Sequence, residues 1–407
     1  MKILGFDVRR ESRASAEDPT VPVSTDSFLQ YFGVQTGNLP AVSIDSALTV
    51  PSVLAAVSFL SRTMAALPLH AYRNSKTGPV KVGGKLQTII HDAPNPQMGS
   101  FQFRQYFWQQ VFTGGRGLAW IERGPTQIEG IWALNPARTV VIRSGPKVTY
   151  EYEGIQYPAE DIIDLPFALQ PNMVNAYSPI VLGSKAIGLA LAMGDYGANF
   201  FAGGGVPPLA LTGPLPKGAD AMKRAMEDVN RAISTAKENS RSAFPLPPGH
   251  ELKPIGFDPA KGQMTEARRF IIEEIARIYQ IPPVFLQDLS HATFSNAEQQ
   301  DLHLVKHLIS QWAQALEDEL NLKLFGQMNS GRYVEHNLDG LLRGDFMTRM
   351  DGLTKAVQGA LLYPNEARQL LNRPDDDNPA ANKLYIQGAT VELGSQKTPN
   401  NPNGGVQ

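Results

Sequence analysis

Two strong helical patterns meet at an Ile-Pro-Pro stop, and that junction constrains this chain more than any other feature. In "MTEARRFIIEEIARIYQ" (264–280), Ala267, Ile271, Ile275 and Ile278 recur at helical spacing on one face. Arg269, Glu273 and Arg277 line another face, and the Glu273–Arg277 spacing favours a weak ion pair. Ile281-Pro282-Pro283 must end the helix, because proline lacks the amide donor and its ring clashes with the preceding turn. A polar stretch follows. Ser295 and Glu298 then form an S-x-x-E capping box, and Leu302, Val305, Ile309, Trp312, Leu316 and Leu320 continue as an apolar stripe. From 296 to 324 such a helix is roughly 40 Å long. No Lys or Arg occurs between Arg277 and Lys306, and residues 263–325 carry nine Asp/Glu against five Lys/Arg. A long base-free join between two helices needs a reason.

The rest of the chain predicts an α+β protein. Val53, Val57, Leu60, Met64 and Leu67 mark a helix that Pro68 stops, followed by the strand "LHAYR". A second, aromatic-rich helix falls near 101–112. Between 117 and 165, short alternating runs separated by Gly and Pro predict a small antiparallel sheet. "GRYVEHNL" (331–338) predicts a strand returning to it. Residues 178–201 predict one helix whose Gly183, Gly188, Gly194 and Gly197 imply a closely packed neighbour. Residues 203–257 read as a strand–helix–strand insert. Residues 1–49 are polar and Pro/Ser-rich, which predicts a mobile arm with one short helix, and 374–407 read as a disordered tail.

Composition excludes several classes. The 407 residues suggest two or three domains. A formal net charge of −2 does not suit tight nucleic-acid binding, which uses a basic excess to displace counterions. The absence of cysteine excludes disulfide scaffolds and Cys-ligated zinc. The longest apolar run, "AIGLALAMG" (186–194), is too short to span a bilayer, so no membrane partner is expected. Gly78 to Lys85 is not a P-loop: its spacing is one residue too long and Leu86 stands where a hydroxyl is needed. His303 and His307, four apart, could supply half a metal site, with His291 a remote third ligand. "PDDDN" (374–378) lacks the spacing of a calcium loop. No catalytic motif and no cofactor is expected.

Several stretches taken in order resemble the portal proteins of tailed bacteriophages and gene transfer agents, in the branch with the Hong Kong-type capsid. They are "SVLAAVSFLSRTMAALPLHAYR" (52–73), "NPARTVVI" (135–142), "YSPI" (177–180) and "ANFFAGGGVPPLAL" (198–211), then "EARRFIIEEIARIYQIPPVFL" (266–286), "FSNAEQ" (294–299), "ALEDELNLKL" (315–324) and "PNEARQLL" (364–371). The resemblance implies a portal fold. Residues 50–177 with 281–339 become the wing, which includes the long helix and strand of 296–339. Residues 178–202 and 263–280 become two stem helices, 203–262 a small αβ clip, 281–295 a tunnel loop and 340–373 a small helical crown. It implies a ring, usually of twelve subunits, at one vertex of a virion or phage-like particle, assembled in the bacterial cytoplasm. Double-stranded DNA passes the ring loosely during packaging and ejection. The expected partners are the major capsid protein, the terminase large subunit and a head-completion adaptor. Gln287, Asp288, Ser290, His291 and Thr293 are the expected tunnel-loop residues, Arg269, Glu273 and Arg277 the stem residues, and Lys217, Lys223, Arg224 and Arg231 the clip docking residues. The family's usual Gly after the "PPxLL" run is Gln287 here, which predicts no φ > 0 turn at that point. Two other functions fit the residues alone: a soluble adaptor or scaffold that uses the insert, and a metal-dependent enzyme built on His303 and His307.

Overall fold

The computed structural model describes residues 2–3, 6–7, 39–76, 78–202, 209–212, 251–254, 263–287, 300–327, 331–338, 341, 346–371 and 373–386, with isolated helical residues between 220 and 235. The chain divides into two compact units, residues 1–337 and 338–407.

In the first unit Lys2–Ile3 pairs antiparallel with Phe6–Asp7, and α1 (Ile44–Leu48) follows, where Ser43 and Ser46 cap each other reciprocally. Helix α2 (Pro51–Ala66) starts on a proline, whose missing amide hydrogen costs nothing in a first turn. Val53, Val57, Leu60, Met64 and Leu67 are each at most 2% exposed, as the helical spacing required. Each such burial stabilises by roughly 1.5–3 kcal/mol. Next come β1 (Leu69–Ser75), β2 (Gly78–Lys81), α3 (Lys85–His91) and α4 (Ser100–Thr113), which packs along α2.

The region 117–165 forms two antiparallel sheets where one was expected. Strands β3 (Arg116–Arg123) and β4 (Ile128–Leu134) pair, and then β5 (Thr139–Ser144), β6 (Lys147–Tyr152) and β7 (Ile155–Pro158) pair in a second sheet. Strand β8 (Ile162–Pro166) returns to β3. A 3-10 turn at Pro136–Arg138 makes the break, held by Asn135 accepting from the Ala137 amide. The sheets face each other across Leu118, Leu134, Tyr150 and Ile162.

The expected helix 178–201 is also divided, into α5 (Pro179–Leu182) and α6 (Ser184–Ala202) at Gly183. A Cβ at Gly183 would lie 2.4 Å from Ile278 Cδ1, so the close neighbour implied by this glycine lies in the same chain. Strands β9 (Leu209–Thr212) and β10 (Glu251–Pro254) pair antiparallel around the isolated helical residues. Helix α7 (Gln263–Tyr279) packs against α6.

Helical residues resume at 300, pass through a π-turn at Val305–Ile309 and continue as α8 (Ser310–Phe325). Leu302, expected on the apolar stripe, is 55% exposed. The buried stripe begins only at Leu304 and Val305 and continues through Leu308, Ile309, Ala313, Leu316 and Leu320. Trp312 closes an aromatic cluster with Trp108, Phe112 and Phe167, with ring centroids 5.4–5.9 Å apart. Strand β11 (Arg332–His336) pairs with β1 in a third sheet, not with the strands of 117–165.

The second unit contains α9 (Phe346–Gln358) and α10 (Pro364–Leu370). Residues 374–386, expected to belong to a disordered tail, are held in place, and the rest of that expected tail lies outside the described residues. The Asn365 amide donates to Asp376 O at 3.1 Å, and the Asp376 N–H donates to Asn365 Oδ1 at 2.8 Å, tying "PDDDN" to α10. Asn378 caps the 3-10 turn Pro379–Asn382 that follows. Asp and Asn act here as local caps, so a polar composition alone misjudged the segment.

Candidate functional site: a clamped turn between two helices

The Ile-Pro-Pro stop becomes a compact turn with a well-defined root. Helix α7 ends in a Schellman arrangement: Gln280 N–H donates to Arg277 O at 3.2 Å and Ile281 N–H donates to Ala276 O at 3.0 Å. Gln280 sits at φ +56, in the left-handed region usually left to glycine. A 3-10 turn over Pro283–Leu286 follows, and its cap Gln287 is again left-handed at φ +63. This corrects the expectation that a non-glycine residue would avoid positive φ there. Burial overrides the local cost of about 1–2 kcal/mol. Ile281 and Leu286 are buried, the Phe285 ring stacks on Phe59 at 4.9 Å, and the buried Tyr279 hydroxyl donates to Phe112 O at 3.1 Å. Burial pushes the Tyr279 phenol far above its ordinary pKa, so it stays a neutral donor. Gln280→Gly is therefore expected to raise stability by up to about 1 kcal/mol, and the β-branched Gln280→Val to lower it. Urea unfolding of the two variants checks both signs.

The expected site residues divide into three groups. Gln287 is exposed at the end of the clamped turn, while Asp288, Ser290, His291 and Thr293 lie outside the described residues, as does the Ser295–Glu298 cap. On α7, Arg269 is exposed, and Arg277 bridges Glu273 at 2.9 Å and also Glu274. Lys223, Arg224 and Arg231 are exposed helical residues, with Arg231 3.9 Å from Asp228, and Lys217 lies outside the described residues. His303 and His307 are exposed with ring centroids 4.4 Å apart. Among the described residues, no group of three or more His, Cys, Asp or Glu is placed to hold a metal.

One polar network had no signal in the sequence. The Arg116 guanidinium on β3 donates to Asp164 Oδ1 on β8 at 2.7 Å, and the Tyr150 hydroxyl on β6 donates to Asp164 Oδ2 at 2.6 Å. Asp164 N–H donates to Glu319 Oε1 on α8 at 2.8 Å, with Lys323 Nζ 3.6 Å from that oxygen. Lys323 also donates to Ala159 O at 2.5 Å. Burial, aided by Asp164, drives the Tyr150 phenol well above its ordinary range. Burial also raises the Glu319 carboxyl, against the pull of Lys323. This network fixes α8 against β8 and the turn Ala159–Asp161.

The described residues thus combine facing antiparallel sheets, a packed helix pair, a two-stranded insert and a long helix after a clamped turn. Solved structures share this fold. An HK97-family phage portal protein from Corynebacterium diphtheriae superposes with a TM-score of 0.54 at 17% identity, covering 74% of this chain and 98% of that one. A chain from the neck of a native gene transfer agent particle, computed with C12 symmetry, gives 0.51 at 18% identity, covering 80% and 91%. The phage portal protein family matches residues 51–372, and the chain belongs to that family. Its sequence is 27% identical to the portal protein of Enterobacteria phage HK97, across 91% of each chain. It is also 27% identical to the probable portal protein of Streptomyces phage phiC31, across 84% of this chain and 79% of that one.

Proposed function

We propose that copies of this chain form a ring at one capsid vertex, through which double-stranded DNA enters during packaging and leaves during ejection. The segment that starts at Gln287 faces the channel. The observation that carries this is the absence of Lys and Arg between Arg277 and Lys306, on a turn rigidly rooted by Tyr279, Ile281 and Leu286. Each Lys or Arg that contacts a phosphate adds salt-dependent affinity, and a wall that lets the duplex slide must supply few such contacts. Helices α6 and α7 act as the stem, and the insert 203–262 as the clip. The clip docks the terminase large subunit and later the head-completion adaptor, and the wing meets the major capsid protein. The role is structural, and the ATPase that drives packaging belongs to the terminase.

Adding positive charge to the channel tests this. In Gln287→Lys and Thr293→Lys rings, the salt dependence of DNA binding should steepen by roughly 0.9 for each additional phosphate that a lysine neutralises, and genome filling should fall while the subunit still folds. Normal filling with both variants would count against a channel-facing loop. The docking role is tested separately. Exposed interface charges chiefly set encounter rates, so Lys223→Glu with Arg224→Glu should slow association of terminase or adaptor about tenfold at low salt. Unchanged association rates would remove the clip helix from the docking face.

A further inference from the structure

Two hydrogen-bond donors confront each other at the edge of the third sheet, far in sequence from the clamped turn. Ala71 N–H donates to Gln87 Oε1 at 2.9 Å, which fixes the orientation of the Gln87 amide. Its amide nitrogen is then the atom 2.9 Å from His70 Nδ1, and it donates there. Nδ1 is an acceptor, so the neutral ring carries its proton on Nε2. Lys81 Nζ lies 3.4 Å from that same Nε2. An ammonium group has donors only. Neither group can satisfy the other.

Charged groups of both signs surround the ring, Glu335 being its cross-strand partner, and the positive ones act on it most. The His70 ring stacks on His91 with centroids 4.4 Å apart, and His91 Nδ1 lies 3.2 Å from Leu69 O, to which it donates. Lys81 and Arg104 act on the His70 ring as positive neighbours. Asp92 opposes them, and its Oδ1 is 4.0 Å from His91 Nε2. Burial first and these cations second hold His70 down to about 4, so the ring stays neutral at physiological pH. His70 is only 9% exposed, whereas Lys81 is open to solvent. A fixed, buried N–H and a reachable ammonium therefore converge on one point.

We propose that His70 Nε2–H and Lys81 Nζ form a receptor for an oxyanion, a carboxylate or a phosphate, whose oxygens accept from both donors. Such a group has acceptors only, carries the charge the field favours and replaces the donor–donor conflict with two charge-assisted bonds.

Thermal unfolding of the full chain tests this at neutral pH in sodium chloride, sodium acetate and sodium phosphate of matched ionic strength. Phosphate stabilises many proteins by exclusion from their surface, so the informative quantity is the difference between variants. Acetate or phosphate should raise the wild-type Tm by about 2 °C more than it raises that of Lys81→Met. Lys147→Met, at an exposed site on another sheet, should respond as the wild type does. A gain with acetate alone assigns a carboxylate ligand, and a gain with phosphate alone assigns a phosphate ligand. Equal gains in wild type and Lys81→Met, or no gain over chloride in the wild type, would overturn the proposal.

Discussion

Asp164→Ala should lower unfolding stability by about 3–5 kcal/mol, the usual cost of removing one partner from a buried ion pair. Arg116 and Asp164 are only 12% and 11% exposed at their side chains. The substitution leaves the Arg116 guanidinium in a poorly solvated place, with Val174 O still accepting from it at 2.7 Å. Tyr150 loses its acceptor, and Asp164 no longer anchors β8 to the Tyr150 strand. Glu319 keeps its bond to the residue 164 amide, so the damage should centre on the sheets and spare the seating of α8. Replacing both charges together, Arg116→Met with Asp164→Leu, should cost far less than Asp164→Ala alone, because hydrophobic substitutes of similar size remove the desolvation penalty along with the attraction. Urea midpoints of the three proteins decide this. A double variant as unstable as the single one would show that the ion pair itself, and not an orphaned charge, sets the cost.

Gly115→Ala should be nearly as damaging, at about 3 kcal/mol or more. Gly115 has φ +86, and a Cβ there would lie 2.2 Å from Tyr177 O and 2.7 Å from Ser178 Cα. Those are backbone atoms, which cannot swing aside as a side-chain tip can. They also lie where the sheet hands over to α5: the Ser178 hydroxyl donates to Thr113 O at 2.7 Å and accepts from the Val181 amide at 3.2 Å. The clash should therefore loosen the attachment of α5 and α6 as well as destabilise the fold. Circular dichroism melts measure the first loss. Faster proteolysis after Tyr177 relative to the rest of the chain would measure the second, and a wild-type melt would refute both.

Different parts of the molecule were legible in the sequence for different physical reasons. The buried faces of α2 and α7 follow from spacing alone, because one-sided burial imposes the 3.6-residue period directly. The Glu273–Arg277 pair is legible for the same reason, since both residues sit on one helix. Leu302 was not, because burial of that helix begins only at Leu304, and spacing does not mark where a helix first meets its neighbours. Gln280 and Gln287 mislead when each is judged alone: residues buried up to six positions away outweigh the local preference of either. Arg116 and Asp164 are separated by 48 positions, and only the pairing of β8 with β3 brings them together. The same holds for His70, Lys81 and Gln87, whose conflict depends on which nitrogen carries one proton. Recognition of the family rested on the order of several modest segments, which survives in a chain where no single motif is diagnostic.

The π-turn at Val305–Ile309 also bears on how the gene can change length. Deleting the exposed Lys306 would leave Leu304 and Ile309 four positions apart, still on one side of an ordinary α-helix. A deletion in the middle of α8 would instead turn everything before it by about 100° and carry apolar side chains into water. The helix thus holds one dispensable residue at a single place, and related chains with a one-codon difference should show it there.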